Sequence, residues 1–151
     1  MNIEARLQEL NITLPEAPAP AGLYSPFAQD GHLVFASGFI PVTADAAPKG
    51  KLGKDLTVEE GQEAARLCIL NMLAAFKRDF GSLDRIKRFV KIVAFVHSAD
   101  DFFQQPQVAN GASQLILDIF GTPAPARSAV GTNALPLGIP VEVEAIIEIE
   151  E

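Results

Sequence analysis

The spacing of apolar and polar residues divides the chain into predicted helices and strands. The clearest helix runs from Thr57 to Phe80 through a body rich in Ala and Leu. It opens with "TVEE", a capping box in which the Thr57 side chain accepts from first-turn amides and Glu60 reaches back. Gly81 follows at the position of a left-handed cap. We therefore predict a long helix over these residues.

Two further stretches show helical spacing. The stretch "NIEARLQELN" has Ile3, Leu7 and Leu10 on one side and predicts a short helix. A second long helix is predicted to end near Gly121 and Pro123. Its apolar face consists of Val108, Ala112, Leu115, Ile116, Ile119 and Phe120.

Stretches rich in β-branched and aromatic residues predict strands, among them "HLVFASGFIP", "RFVKIVAFVHS", "ARSAVGTNAL" and "VEVEAIIEIE". Gly38, in the first of these, stands where a side chain would obstruct something close. The last alternates strictly, so one set of its side chains must face the helices. The other set faces solvent or another subunit and consists of Glu142, Glu144, Ile146, Glu148 and Glu150. The element order, roughly β, β, α, β, α, β, β, predicts an α+β domain with two helices covering one face of a sheet.

Length and charge narrow the classes of protein that fit. The 151 residues are enough for one domain, spanning 1–151, that buries its own core. The net charge of −7 argues against nucleic acid as a partner, because phosphate backbones are bound by clustered Lys and Arg. The densest basic cluster, "RIKRFVK", is interpreted as the wet face of a strand or turn, with a nucleic-acid patch as the alternative.

The composition also bears on the compartment. No apolar run is long enough to cross a bilayer, and the first residues lack the basic segment and apolar block of a signal peptide. A single cysteine excludes an internal disulfide. We expect a cytoplasmic protein without membrane contact.

Few residues suit the common kinds of catalytic chemistry. His32 and His97 both lie in strand-like runs, where a structural role is the alternative to that of a base. Cys68 lies in the body of the long helix, where a buried thiol is the alternative to a nucleophile. Metal, nucleotide and covalent chemistry are therefore poorly supported. Arg127 is flanked by small residues. Its planar guanidinium could bind a carboxylate through two parallel hydrogen bonds, or it could form a surface salt bridge.

The stretch "PARSAVGTNALPLGIPVEVEA" resembles the C-terminal signature of the reactive-intermediate deaminase family, also called the YjgF-type or L-PSP endoribonuclease-like family. The pattern is an arginine between small residues, then Leu-Pro, then a Glu-x-Glu strand. The stretches "LYSPFAQDGHLVFASGFIP" and "NGASQLILDIFG" resemble other parts of the family in the same order, so the likeness extends from Gly22 to Glu148. The early stretch "IEARLQELNITLPE" and the helix "DLTVEEGQEAARLCILNML" resemble a longer subgroup.

This resemblance implies a chorismate-mutase-like α+β fold, a mixed β-sheet with two helices packed on one face, that assembles as a homotrimer with its sites in clefts between subunits. It implies hydrolysis of 2-imino or 2-enamino acids to 2-keto acids and ammonia, without cofactor or metal. The partner would be a small carboxylate-bearing substrate. Arg127 would anchor the carboxylate, and Glu142 would orient or activate the attacking water. The substrate-binding residues would be Tyr24, Ser37, Gly38, Phe39, Asn110, Ser128 and Ala129.

The sequence departs from the family pattern at two of these positions. Phe39 replaces the glutamine common after Ser-Gly, and Ala129 stands where many relatives have cysteine. Phe39 and the features of the longer subgroup motivate a second hypothesis, a binding or regulatory protein that keeps the cleft and has lost turnover. A third is an endoribonuclease, the name attached to some relatives, for which an acidic chain without a histidine pair is poorly equipped.

Overall fold

The computed structural model describes residues 2–20 and 22–150. Along the described chain the elements are α1 (Ile3–Glu9), β1 (Phe27–Asp30), β2 (Leu33–Phe39), α2 (Val58–Phe80), β3 (Ile86–His97), α3 (Gln105–Phe120), β4 (Ala126–Thr132) and β5 (Val141–Ile149). Two short 3-10 turns, Leu83–Arg85 and Pro136–Gly138, precede β3 and β5.

The strands form one mixed sheet in the order β1-β2-β5-β3-β4. Neighbouring strands are antiparallel except β3 and β4, which are parallel because α3 carries the chain back between them. The tight turn between β1 and β2 uses Gly31, whose φ is +62°. His32 lies in this turn and not in a strand, so that placement in the sequence analysis was wrong. β4 is an edge strand with one neighbour.

The long helices α2 and α3 pack on the same face of the sheet, as the sequence predicted. In β5 the buried set is Val141, Val143, Ala145, Ile147 and Ile149, and the alternating set is half-buried through position 148. The covered face therefore belongs to the helices. The face with Glu142, Glu144, Ile146 and Glu148 is the open face of the chain.

The ends of α2 follow the predicted capping chemistry. The Thr57 hydroxyl accepts from the Glu60 amide at 3.2 Å, and the Glu60 carboxylate accepts from the Thr57 amide at 3.0 Å. Gly81 ends the helix with a φ of 89°. From Cys68 to Phe76 every residue of α2 is buried, so this helix has no exposed stripe in its middle.

The residues before β1 contribute to the same core and are tied to α2. Ile3 is fully buried, and the Ile3 amide donates to Asp84 Oδ1 at 2.7 Å. Lys77 pairs with Glu4 at 2.7 Å, and the Arg78 guanidinium donates to the Pro18 carbonyl at 2.7 Å. The short helix predicted at the start of the chain is confirmed as α1.

A close crossing of α2 and α3 fixes the position of the second helix. A Cβ added at Gly111 would collide with the backbone of Gln62, and its distance to Gln62 Cα would be 2.7 Å. The Gln62 side chain also donates to the Gln107 carbonyl at 2.9 Å. Gly111 therefore permits a helix separation that any side chain there would prevent.

The remaining differences from the sequence analysis concern element ends. α3 begins at Gln105, before the first periodic apolar residue, because Pro106 suits a first helical turn. β3 begins at Ile86, and β4 ends at Thr132. The basic cluster forms the wet start of β3, as expected, with Lys87 and Arg88 exposed. Within the described residues no helix has the length and apolar character needed to cross a membrane.

Candidate functional site

Arg127 lies on β4 beside Ile92 of β3, on the covered side of the sheet. Its Nη1 donates to Asn110 Oδ1 at 2.7 Å and to Ser113 Oγ at 3.1 Å. Both acceptors are neutral. Among residues 2–20 and 22–150 no carboxylate forms an ion pair with this guanidinium, so the surface salt bridge considered from the sequence is not found within the chain. Arg127 therefore remains a cation whose charge no side chain of the described chain neutralises.

The two acceptors come from one turn of α3. Asn110 and Ser113 are three residues apart, which places their side chains on the same side of a helix. The close crossing at Gly111 holds this turn in place. Sequence reasoning named Asn110 and missed Ser113, although the i, i+3 spacing of two polar residues beside an apolar stripe was a usable signal.

Glu142 lies on β5 beside Phe95, on the open face of the sheet, and is half-buried. The pKa of its carboxyl is raised from its ordinary value, first by burial and then by the nearby charge of Glu144. A Cβ at Gly38 would collide with the Glu142 carboxylate and would lie 2.8 Å from its Cδ. The sequence prediction that a side chain at Gly38 would obstruct something close is thereby confirmed, and the obstructed group is the candidate catalytic carboxylate.

A recess of about 490 Å³, which we call the Glu142 recess, opens at this carboxylate. Ser37 ties its walls together, because its hydroxyl donates to the Ser25 carbonyl at 2.7 Å and its amide to the Pro26 carbonyl at 2.8 Å. These bonds bring the segment before β1 alongside β2. The other residues that line the recess include Gly22, Tyr24, Gly38, Ile40 and Leu137.

Phe39 has a different environment from its neighbours. The register of β2 against β5 shifts between Ala36 and Phe39, which turns the Phe39 ring to the covered face. The ring is 7% exposed and lies 5.7 Å from the ring of Phe27. It does not line the Glu142 recess and reaches only a smaller adjoining pocket.

The predicted site residues thus fall into two groups. Tyr24, Ser37, Gly38 and Glu142 meet in the Glu142 recess, whereas Arg127 lies with Asn110 beside α3. Side chains of paired residues point to the same face of a sheet, so the partners Ile92 and Phe95 place the arginine and the glutamate on opposite faces. A single chain therefore does not bring these two groups into one pocket.

The residues after Arg127 also divide between the faces. Ser128 pairs with Val93 and is exposed, whereas Ala129 pairs with buried Ala94 and packs against the core. Neither side chain contacts the guanidinium through a hydrogen bond. Their backbone on the edge strand flanks Arg127.

Cys68 and His97, which were considered for other kinds of catalysis, both contact backbone carbonyl groups. Cys68 is fully buried, its thiol donates to the Val141 carbonyl at 3.5 Å, and burial raises the pKa of this thiol well above its usual value. His97 Nδ1 lies 3.2 Å from the Ile139 carbonyl. Within the part of the chain that the structure describes, no cluster of three His, Cys, Asp or Glu side chains could hold a metal ion.

Comparison with known proteins identifies the family. A family model described as "YjgF/chorismate mutase-like, putative endoribonuclease" matches residues 4–146. The match covers nearly the whole chain and includes every candidate residue of both groups. The protein therefore belongs to the YjgF family, as the resemblance indicated.

Three relatives illustrate the range of this family. Protein TCP17 of Trypanosoma cruzi is 45% identical over 97% of this chain and 94% of its own. The solved structure of Atu1372, a protein with unknown function from Agrobacterium tumefaciens, superposes with a TM-score of 0.88 at 41% identity, covering 99% of this chain and 92% of that one. A 2-iminobutanoate/2-iminopropanoate deaminase of Dermatophagoides farinae is 29% identical over 92% of this chain and 95% of its own.

Proposed function

We propose that this protein hydrolyses small 2-imino and 2-enamino acids to 2-keto acids and ammonia, in a cleft between neighbouring copies of a homotrimer. The observation that carries the proposal is Arg127, a cation held by two neutral oxygens and paired with no carboxylate in the described chain. An arginine kept in this state is suited to bind an anionic ligand. The name of the Dermatophagoides relative supplies the reaction class.

Arg127 anchors the substrate carboxylate. Because Nη1 is occupied by Asn110 and Ser113, the guanidinium has a fixed orientation, and its remaining N–H groups are available for two parallel bonds to a carboxylate. The backbone of Ser128 and Ala129 flanks this position. Fixing the acid group places the imine carbon at a defined distance from the groups that attack it.

Glu142 acts on water at the imine carbon. An imine carbon is already electrophilic, so the reaction needs a positioned water and a group that takes its proton. As the water oxygen bonds to the carbon, the proton passes to the Glu142 carboxylate. Return of that proton to nitrogen gives a carbinolamine. The same carboxylate then carries the hydroxyl proton to the amino group, so that ammonia leaves as the carbon–nitrogen bond breaks and the carbonyl forms. A raised pKa makes the ionised carboxylate a stronger base than a solvated glutamate.

Two copies are required because Arg127 and Glu142 lie on opposite faces of one sheet. If the open face of one chain meets the edge strand of a neighbour, Arg127 of the neighbour can face the Glu142 recess of that chain. The open face has apolar side chains suited to such a contact: Leu33 and Phe35 are 37% and 43% exposed. Its glutamates need water or positive partners at the interface, because burying like charges is costly.

A binding protein without turnover is the second candidate. It is favoured by the Phe39 ring, which is buried in the core and leaves no polar side chain at that position in the recess. Such a protein would bind keto acids and other small carboxylates without hydrolysing imines. An endoribonuclease ranks below both, because a net charge of −7 opposes RNA binding.

A coupled assay tests the proposal. A dehydratase generates 2-aminoacrylate in situ, and the release of keto acid is followed with and without the protein, whose mass is measured by light scattering at micromolar concentration. We expect acceleration by a trimer and its loss in Arg127→Ala. Gln114→Ala is a matched control, because Gln114 lies on α3 and bonds only to Asp118 within the described chain. A folded protein that gives no rate above background contradicts the enzyme, and a monomer mass contradicts the composite cleft.

A further inference from the structure

A second, smaller pocket adjoins the Glu142 recess. Its volume is about 70 Å³, and its lining includes Pro18, Ala19, Pro20, Pro26, Phe39 and Ile40. We call it the proline pocket. None of the residues that line it is charged. A site of about 10–15 Å³ holds one water molecule, so a pocket of this volume is large enough for several atoms of a ligand.

The two cavities share a wall. Tyr24, Ser37, Gly38 and Ile40 line both of them, so the proline pocket lies directly next to the recess that holds the Glu142 carboxylate. A ligand bound in the recess therefore has uncharged surroundings next to it.

The wall formed by residues 18–20 is fixed in place. The Arg78 guanidinium donates to the Pro18 carbonyl at 2.7 Å, and the same guanidinium is held by Asp79 at 2.7 Å. Proline restricts the backbone at positions 18 and 20. A rigid wall keeps the pocket formed before a ligand arrives, which lowers the cost of filling it.

We infer that the proline pocket takes the side chain of the substrate, so that the preferred substrates are 2-imino acids with apolar side chains of several carbons. This inference rests on the proposed function. A 2-imino acid presents three groups to a binding site: a carboxylate, an imine and a side chain. The proposal assigns the carboxylate to Arg127 and the imine to Glu142, and the side chain is then left to enter the uncharged pocket beside that glutamate. The short side chain of a substrate derived from serine or alanine leaves the pocket empty.

Equilibrium binding of 2-keto acids tests the pocket without requiring turnover. The assembled protein is titrated by calorimetry with pyruvate, 2-oxobutanoate, 2-oxopentanoate and 2-oxohexanoate. Each methylene that enters an apolar pocket should lower Kd about fourfold, until the pocket is full. Ala19→Leu should fill the pocket and flatten this series, whereas Ala44→Leu, on the exposed loop after β2, should leave it unchanged.

A second variant guards against an effect of Ala19→Leu on the backbone. Ile40→Ala enlarges the pocket and should move the tightest binding to a longer side chain. A flat wild-type series, an absence of binding, or an unchanged series in both variants overturns the inference.

Hydrolysis of the matching imines separates this inference from the proposed function. An amino-acid oxidase generates the imines in situ from alanine and its longer homologues. Length-dependent binding without any hydrolysis contradicts the enzyme and leaves the pocket supported. Hydrolysis whose kcat/KM ignores side-chain length contradicts the pocket and leaves the enzyme supported.

Discussion

Gly38→Ala is the substitution whose effect follows most directly from the geometry. The new Cβ would lie 2.8 Å from Glu142 Cδ, and ordinary van der Waals contact begins at 3.4 Å, so Cδ must retreat by at least about 0.6 Å. The φ of Gly38 lies outside the left-handed range, so alanine fits the backbone. The atoms that must move are the far end of a flexible side chain. The change therefore displaces the carboxylate and leaves the strand intact.

The expected loss is in catalysis and not in stability. A misplacement of about 1 Å at a reacting group costs on the order of 100-fold in rate, so a shift of this size should lower kcat by about 10- to 100-fold. The free energy of unfolding should change by less than about 1 kcal/mol, because Gly→Ala at a compatible backbone restricts the unfolded chain. Steady-state release of keto acid gives the first quantity, and urea denaturation gives the second.

A double-mutant cycle makes the result specific. In the Glu142→Gln background the same Gly38→Ala change should have little further effect on kcat, because the displaced group has already lost its function. Wild-type kcat in Gly38→Ala, or an equal loss in both backgrounds, would refute the assignment of Glu142 as the group that acts on water.

Three further predictions follow from the contacts. Burial raises the pKa of Glu142 in the folded protein above the ordinary value of 4.5 that applies to the unfolded chain. The contribution of this group to the free energy of unfolding is therefore complete below pH 4.5 and is lost as the pH rises through the raised pKa. Glu142→Gln should remove this pH dependence of stability in urea denaturation, and a dependence that survives contradicts the burial effect. Gly111→Ala should lower the free energy of unfolding by about 3 kcal/mol or more, because its Cβ meets the backbone of Gln62, and a wild-type thermal midpoint contradicts the close crossing. Asn110→Ala should raise KM by about 10- to 150-fold, because it removes a charge-assisted bond worth about 1.5–3 kcal/mol from the carboxylate anchor. An unchanged KM contradicts this role, and Gln114→Ala is the control.

Features that depend on neighbouring residues were predictable from the sequence. The capping box of Thr57 and Glu60 involves groups three residues apart, and it forms as predicted. The alternation of β5 was predictable because a strand has a fixed period of two. The start of α3 was not, since Gln105 and Pro106 give no apolar periodicity.

The arrangement of the site depends on strand order, which local patterns do not encode. Arg127 and Glu142 lie on consecutive strands along the chain, but β3 lies between β4 and β5 in the sheet. The face that each residue occupies depends on its partners, Ile92 and Phe95, in the strand between them. The sequence therefore identified both residues as candidates but could not show that they lie on opposite faces of the sheet in a single chain.

Complementation between two inactive variants tests the composite cleft most directly. Arg127→Ala and Glu142→Gln are co-expressed in equal amounts with different tags, and the mixed assemblies are assayed for imine hydrolysis beside each variant alone. If each cleft takes its arginine from one copy and its glutamate from the next, random assembly leaves about one quarter of the clefts with both residues intact. The account therefore predicts that mixed assemblies regain about one quarter of wild-type activity while each variant alone stays inactive. Mixed assemblies no more active than the separate variants would contradict it.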